Sequence, residues 1–217
     1  MRILIVIYTL LFSVTGLSQK TSLKISLLSL VDEPSFPTIQ GGIEFRLSKK
    51  ISWYNEAGIK YRKSYYEMVD TSFVDSRGFK LKSEIRYYLK NRYAIYIGTN
   101  GFYTKDFHNT AAGYFYAGDS SDYRVDNFSV RKIVKGLNVV AGKSYKTWGR
   151  SNIEIYAGVG MRFVSTENDN IEIDHKKDVV RRTIHPNIHD NRIWVDVQGE
   201  KMALPNFSLG VRFSFAL

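Results

Sequence analysis

The amino-acid sequence predicts an all-β protein, an eight-stranded antiparallel up-and-down transmembrane β-barrel with short turns at one rim and long loops at the other. Three observations support this fold class. Apolar and polar residues alternate in segment after segment, the connections between these segments alternate between short and long, and glycines share the polar face with the charges. Successive side chains of a strand point to opposite faces, so strict alternation indicates a strand with one apolar and one polar face.

The N-terminal segment has the features of an export signal. A single cation, Arg2, precedes an apolar run from Ile3 to Val14, and small or polar residues follow around Gly16 and Ser18. This is the order of a secretory signal peptide, and about 12 apolar residues fall short of the ~20 that a membrane-spanning helix needs. We predict a signal peptide over residues 1–18 and an outer-membrane barrel domain over residues 19–217.

Six segments alternate clearly and two alternate with an interruption. The clear segments are residues 39–48, 51–63, 79–90, 93–103, 152–164 and 206–217. The two weaker segments are 21–31, which slips at Leu28 and Leu30, and 131–145, in which Lys135 falls out of phase. A bulge or a wrong assignment of phase would explain either interruption. The expected number of strands is therefore eight.

The connections between the predicted strands differ in length in a regular way. Short connections at 48–50, 90–92 and 146–151 alternate with longer ones at 32–37, 64–78, 106–127 and 166–205. An even-stranded up-and-down barrel with both termini at one rim has this layout.

The orientation of the two strand faces decides between a membrane barrel and a soluble one. The polar face carries glycines at positions 42, 58, 98, 158, 160 and 210, which weaken a solvent-exposed strand but make room inside a narrow barrel. The apolar face of residues 51–61 would span roughly 28 Å, near the ~25 Å lipid-facing band of membrane barrels. We predict that the polar face lines the interior. The alternative is a secreted lipocalin-like barrel, whose apolar face would enclose a hydrophobic ligand.

A polar interior would bring charges of both signs together. Buried charges are tolerated when they are paired, so we predict an interior charge network that fills the barrel. Its predicted members are Glu44, Arg46, Glu56, Lys60, Arg62, Lys82, Glu84, Arg86, Glu154, Arg162 and Arg212.

The signal segment, the amphipathic strands and the ending VRFSFAL resemble small outer-membrane β-barrel proteins of the OmpX/OmpA type, found in Gram-negative bacteria. The resemblance implies a place in the cell outer membrane in contact with membrane lipid, with periplasmic short turns and extracellular long loops. It also implies insertion by the barrel-assembly machinery, which reads the C-terminal strand. Such proteins commonly end in an aromatic residue, whereas this chain ends in Leu217, after Phe213 and Phe215 at alternate positions.

The sequence offers little support for catalysis or metal binding. His185 and His189 lie four residues apart beside Asp190, but Pro186 argues against the helix that would bring them to one zinc ion. Eight strands leave an interior just wide enough for side chains, which argues against a conducting pore. We predict no catalytic residue, no cofactor and no metal site. An outer-membrane lipid-modifying hydrolase is a further alternative, because some resembling barrels act on lipid A.

The last connection suggests a contact surface. Within residues 171–204, the stretches IEID and RIWVDV alternate like strands and predict a hairpin that projects beyond the membrane. Its apolar cluster, Ile193, Trp194 and Val195, would either pack on the barrel or contact a protein or glycan partner. The formal charge of +10 would suit nucleic acid, but export makes that partner unsuitable. We expect a monomer with a structural or surface-interaction role.

Overall fold

The computed structural model describes residues 21–31, 36–61, 74–90, 95–115, 123–169, 179–180 and 201–217. One turn of 3-10 helix, Leu28–Val31, follows the first strand. Among the described residues, no helix has the length and apolar composition needed to cross a bilayer. The strands are β1 (Thr21–Ser26), β2 (Thr38–Arg46), β3 (Ile51–Lys60), β4 (Val74–Lys90), β5 (Ile95–Phe115), β6 (Tyr123–Lys146), β7 (Ser151–Asp169), β8 (Val179–Val180) and β9 (Lys201–Ala216).

Eight of these strands form a closed antiparallel ring. Each strand from β1 to β6 pairs with the next, β7 pairs with β9, and β9 pairs with β1, which closes the ring. The two-residue β8 lies outside the ring and pairs with the end of β5 at Tyr114 and Phe115. The predicted eight-stranded up-and-down barrel is therefore confirmed.

The stagger of the strands follows from their register. From Gly41 on β2, opposing residues lead through β1 to Phe213 on β9. In the other direction, through β3 to β7, they lead to Ala203 on the same strand. The two end points lie ten residues apart, so the shear of the barrel is ten, and strands in such barrels tilt by about 35–45°.

Large apolar side chains point outward all around the barrel. One such residue from each ring strand is 39–70% exposed: Ile25, Ile43, Ile59, Ile85, Ile97, Leu137, Val159 and Leu209. Three small polar side chains, Asn55, Ser83 and Thr99, interrupt this wall on β3, β4 and β5. Trp53 Nε1 donates a hydrogen bond to Ser83 Oγ at 2.9 Å, which satisfies one of them.

The charged face lines the interior. Glu56 is 5% exposed and Arg86 is fully buried, although both lie on strands whose neighbouring residues face outward. This arrangement is opposite to that of a lipocalin-like barrel, in which apolar side chains would line the cavity. The described residues therefore exclude the lipocalin-like alternative.

The two rims differ as predicted, but strands extend into three of the predicted long connections. β4 begins at Val74, within 64–78, and β7 ends at Asp169 and β9 begins at Lys201, both within 166–205. The connections at 47–50 and 147–150 are tight, and Gly149 adopts a left-handed φ of +57° that few other residues accept. The prediction of a long loop at 106–127 is wrong, because β5 continues to Phe115 and β6 begins at Tyr123. Beyond Asn109 and Ser129, these two strands have left β4 and β7 and pair with each other as a projecting hairpin.

Both interrupted segments have a physical explanation. The alternation at 21–31 ends because β1 stops at Ser26 and the 3-10 helix begins at Leu28. In the other segment, β6 pairs without a break with β5 and β7, so no bulge is present there. Lys135 instead points outward and lies 5.8 Å from the centre of the Tyr103 ring.

Closure between the first and last ring strands can be tested by crosslinking. Leu23 and Phe215 lie opposite each other on β1 and β9, and opposing Cα atoms of antiparallel strands are about 4.5–5.5 Å apart, within reach of a disulfide. The chain has no native cysteine, so Leu23→Cys with Phe215→Cys should form one intramolecular disulfide that changes gel mobility after boiling. Leu23→Cys with Leu209→Cys is the control and should stay reduced. Equal crosslinking in both variants would contradict the register.

Candidate functional site

The centre of the barrel holds a closed ring of four alternating charges. Arg86 donates from Nε to Glu84 at 2.7 Å and from Nη1 to Glu154 at 2.8 Å. Arg212 donates from Nη1 to Glu154 at 2.7 Å and from Nη2 to Glu84 at 3.3 Å. All four side chains are at most 1% exposed. We call Glu84, Arg86, Glu154 and Arg212 the charge ring; each of its cations binds both of its carboxylates.

Three tyrosine rings enclose the two guanidinium groups. The Arg86 guanidinium lies 4.5 Å from the centre of the Tyr54 ring and 4.6 Å from that of Tyr96. The Arg212 guanidinium lies 4.5 Å from Tyr54 and 3.8 Å from Tyr156. Tyr54 therefore contacts both cations, and we call Tyr54, Tyr96 and Tyr156 the tyrosine stack. Cation–π contacts are strongest where water is excluded, as it is here.

Two further carboxylates and two lysines surround the charge ring. Glu44 lies 2.7 Å from Lys24 and 3.5 Å from Arg86, and Lys24 also reaches Glu154 at 2.5 Å. On the other side, Glu56 lies 3.6 Å from Lys82 and 3.4 Å from Arg212. Four cations thus face four carboxylates. Buried charges of this kind persist only when their partners are present, because each desolvated ion costs several kcal/mol, by rough estimate.

Hydroxyl groups donate further hydrogen bonds to three of the four carboxylates. Tyr54 donates to Glu56 at 2.9 Å, Tyr88 to Glu44 at 2.7 Å and Tyr96 to Glu154 at 3.0 Å. Ser26 donates to Glu56 at 2.5 Å, and Ser52 donates to Glu44. The carboxylates are therefore held by neutral donors as well as by cations, which fixes their position.

Glycines make room for the tyrosine stack. A Cβ atom at Gly42 would lie 2.6 Å from a ring carbon of Tyr54, and one at Gly142 would lie 2.5 Å from the Tyr96 ring. At Gly210 a Cβ would collide with the ring of Tyr156. Each ring of the stack therefore lies flat over a glycine of the neighbouring strand. These three rings therefore require Gly42, Gly142 and Gly210, whereas Gly58, Gly98, Gly158 and Gly160 face other neighbours.

The part of the interior nearer the long loops contains a second, smaller cluster. Phe36, which precedes β2, is 2% exposed and lies beneath Lys60 and Lys80, whose Nζ atoms are 4.8 and 4.6 Å from its ring centre. Lys60 lies 3.1 Å from Asp106, and Lys80 donates to the Phe36 carbonyl at 3.0 Å. Phe36 therefore packs inside the barrel and occupies part of this region.

A chain of amides lies between the two clusters. Asn206 donates to Asn138 at 2.8 Å, and Asn138 donates to Asn100 at 3.1 Å. Asn100 lies opposite Glu84 in the pairing of β5 with β4, so the chain begins beside the charge ring and extends across β6 to Asn206 on β9. Polar side chains thus fill the interior at each of these levels.

The predicted interior residues occupy several different places. Lys60 belongs to the Phe36 cluster, and the Arg46 guanidinium lies 4.6 Å from the Tyr88 ring centre, toward the short turns. Arg162 points inward but forms no ion pair with any described residue. Arg62 and the predicted contact residues Ile193, Trp194 and Val195 lie outside the described residues. The central network contains Glu44, Glu56, Lys82, Glu84, Arg86, Glu154 and Arg212.

Sequence reasoning missed Lys24 and the tyrosines. Lys24 lies on β1, where the slip beyond Ser26 left the phase open. Tyr54, Tyr96 and Tyr156 occupy the same strand face as the charges, which was the available signal. Their role as guanidinium partners depends on contacts between strands that are distant in sequence.

The described part of the chain contains one of the four histidines, His108. His108 is fully buried on the inner face of β5, which corrects its predicted place in a loop. His175, His185 and His189 lie outside the described residues. Within the described ranges, no three His, Asp or Glu side chains group as metal ligands.

Comparison with known proteins identifies a family and a distant structural resemblance. A family model described as "Protein of unknown function (DUF3575)" matches residues 3–189. A search of the curated proteins found no match. Among solved structures, a major outer membrane protein from Thermus thermophilus aligns at 10% identity with a TM-score of 0.44, over 93% of this chain and 100% of that chain. That resemblance is too weak to support an assignment.

The glycines beneath the tyrosine stack should tolerate no side chain. Gly42→Ala places a Cβ 2.5 Å from the Asn55 carbonyl and 2.6 Å from Tyr54, so we expect a loss of about 1–3 kcal/mol in the free energy of unfolding. Gly41→Ala, one residue away, is the control, since its nearest neighbour would lie 3.9 Å from the new Cβ. Urea unfolding of both variants in phospholipid vesicles measures the difference. Equal stability of the two variants would show that Tyr54 does not pack on Gly42.

The charge ring should be far more sensitive than a surface ion pair. Arg86→Gln leaves Glu84 and Glu154 with excess buried negative charge, so we expect a loss of about 3–5 kcal/mol in unfolding free energy. Arg131→Gln is the matched control, because Arg131 pairs with Glu167 and Asp169 at the exposed surface, and should lose at most about 1 kcal/mol. Adding Glu84→Gln to Arg86→Gln should restore part of the loss. Similar effects at Arg86 and Arg131 would contradict burial of the ring.

Proposed function

The chain belongs to the DUF3575 family, and we propose that it is a non-catalytic outer-membrane β-barrel protein with a closed interior and a structural or surface-interaction role. The observation that carries this proposal is the inverted distribution of side chains. The described outer wall is predominantly apolar and exposed around the whole ring, while the charge ring is buried inside.

A lipid environment is the physical explanation for this distribution. Soluble monomers rarely expose contiguous apolar patches larger than a few hundred Å². Here every ring strand contributes exposed apolar side chains. All backbone hydrogen bonds of a closed ring are made between its own strands, which is the condition for a sheet to lie in hydrocarbon. We infer the outer membrane from this fold together with the predicted export signal.

The filled interior supports a role other than transport. An eight-stranded barrel has an interior just wide enough for side chains. The charge ring, the tyrosine stack and Phe36 occupy the centre and part of the outer half. The four carboxylates of the network are bound to cations, and three of them also to hydroxyl groups, so they are engaged in structure rather than available for acid–base chemistry. We therefore favour a non-conducting and non-catalytic barrel.

The long-loop rim is the proposed contact surface, facing the cell exterior. The β5–β6 hairpin projects past the ends of its neighbouring strands, and β8 adds a short third strand to it. Such a hairpin offers backbone and side chains for contact with a protein or glycan. The short turns would face the periplasm, and β9, with outward Phe213 and Phe215, would be read by the barrel-assembly machinery.

Fractionation and gel mobility test the proposal directly. The full chain, expressed in a Gram-negative host, should be recovered in the outer-membrane fraction. It should also run at a different mobility in SDS gels before and after boiling, because closed membrane barrels resist unfolding by SDS. Recovery as a monodisperse protein in buffer without detergent would overturn the proposal. Channel activity of the purified protein in planar bilayers would overturn the closed interior alone.

A further inference from the structure

Three cations point outward from neighbouring strands at the long-loop end of the apolar wall. They are Arg77 on β4, Lys105 on β5 and Lys135 on β6, and we call them the rim cations. Arg77 and Lys135 are exposed and Lys105 is partly exposed. They occupy the same outward phase as the apolar residues Phe79, Tyr103 and Leu137.

The register brings the rim cations to one height. Lys135 on β6 lies opposite Tyr103 on β5, and Lys105 follows Tyr103 by two residues toward the long-loop rim. Lys105 lies opposite Phe79 on β4, and Arg77 is two residues from Phe79 toward the same rim. Along the barrel axis, a residue lies about 3 Å nearer the long loops than its opposing residue on the preceding strand, counting from β2 toward β9. Each residue along a strand adds about 2.5 Å in the same direction or the reverse. The three side chains therefore start within about 4 Å of one height, at the long-loop end of the apolar wall, where outward Phe107 and Ile133 lie further along β5 and β6.

Two of the three rim cations contact aromatic rings. The Arg77 guanidinium lies 4.7 Å from the Phe107 ring centre, and Lys135 Nζ lies 5.8 Å from that of Tyr103. In the part of the chain that the structure describes, no carboxylate forms an ion pair with any of the three. Arg131, further out on β6, differs because it is paired with Glu167 and Asp169.

This pattern points to an anionic partner supplied from outside the protein. Three like charges on adjacent strands repel one another unless an anion lies between them. Cations just beyond a lipid-facing band meet the headgroup layer, where an anionic surface is worth about 1 kcal/mol per Lys or Arg. Arginine binds phosphate oxygens in a bidentate fashion, and lysine binds them as a point charge.

We propose that the rim cations form a binding site for the phosphate groups of a phosphorylated lipid headgroup in the outer leaflet. The inference rests on the proposed function, since it requires the outer wall to lie in a membrane. Phe79 and Tyr103, whose ring centres are 5.8 Å apart, would contact the first part of the acyl chains beneath the headgroup. The site thus combines a charged rim with an aromatic base.

The test compares lipid retention by two triple variants of equal charge. The full-length barrel is reconstituted in phosphatidylcholine nanodiscs with diphosphorylated lipid A as the probe, and bound lipid is counted by native mass spectrometry. Arg77→Gln/Lys105→Gln/Lys135→Gln removes the rim cations. The control, Lys49→Gln/Lys50→Gln/Lys146→Gln, removes three exposed cations near the short turns, at the opposite rim. Lys105→Arg/Lys135→Arg preserves the charge at the proposed site.

We expect the rim triple variant to bind the probe roughly ten- to a hundredfold more weakly than the native chain, and the other two variants to match the native chain. Equal loss in the opposite-rim control, or no loss in the rim variant, would overturn the proposal. Displacement of the probe by inorganic phosphate at equal phosphate concentration would indicate a free-phosphate site and would also overturn it.

The two proposals fail in different ways. If the native chain does not enter nanodiscs and shows no mobility shift on boiling, the proposed function fails and this inference with it. If the chain reconstitutes and shows the shift but retains lipid independently of the rim cations, this inference alone fails. Should the rim triple variant lose the shift, Lys105→Gln and Lys135→Gln are measured singly, and each should weaken binding by about fivefold.

Discussion

The rest of the barrel depends on one interaction at its centre. Two carboxylates and three tyrosine rings enclose the guanidinium groups of Arg86 and Arg212. Arg86 and Arg212 come from β4 and β9, which are not neighbours in the ring, so Glu84 and Glu154 connect the walls across the interior. A buried ion pair is weak support for stability in itself, since hydrophobic replacements are often as stable. Its effect is on specificity, because any other register would bury these charges without partners.

The glycine pattern and the strand register follow from this constraint. A tyrosine ring lies flat on the wall only where the adjacent strand has no side chain, as at Gly142 beneath Tyr96. A shift of one residue along β6 would place Gly142 on the outer face and a side chain under the ring. The balanced network closes the centre of the barrel, because its side chains are almost fully buried.

The side chains on the outer wall change in character from the middle of the barrel toward the long loops. Apolar side chains cover the middle, and the rim cations lie among aromatic residues toward the long loops. Cations of the central network pair with carboxylates of the chain, whereas the rim cations pair with no carboxylate among the described residues, and two of them contact aromatic rings. Lysine and arginine therefore bind carboxylates inside the barrel and, in our proposal, bind lipid phosphates at its outer rim. Within the DUF3575 family, this arrangement offers a concrete basis for comparing members.

The sequence by itself determined the strand number, the alternation of short and long connections and which face is buried, because the period-two pattern is local and can be read without a partner. It could not determine where strands end or which charges meet. The alternation of 106–115 is weak, and those residues form a strand only because β6 pairs with them as far as Tyr123. Lys24 could not be placed in the network from the interrupted pattern of residues 21–31. Tertiary structure decided the charge ring and the tyrosine stack, because closure of the ring with a shear of ten sets which side chains face each other across the interior.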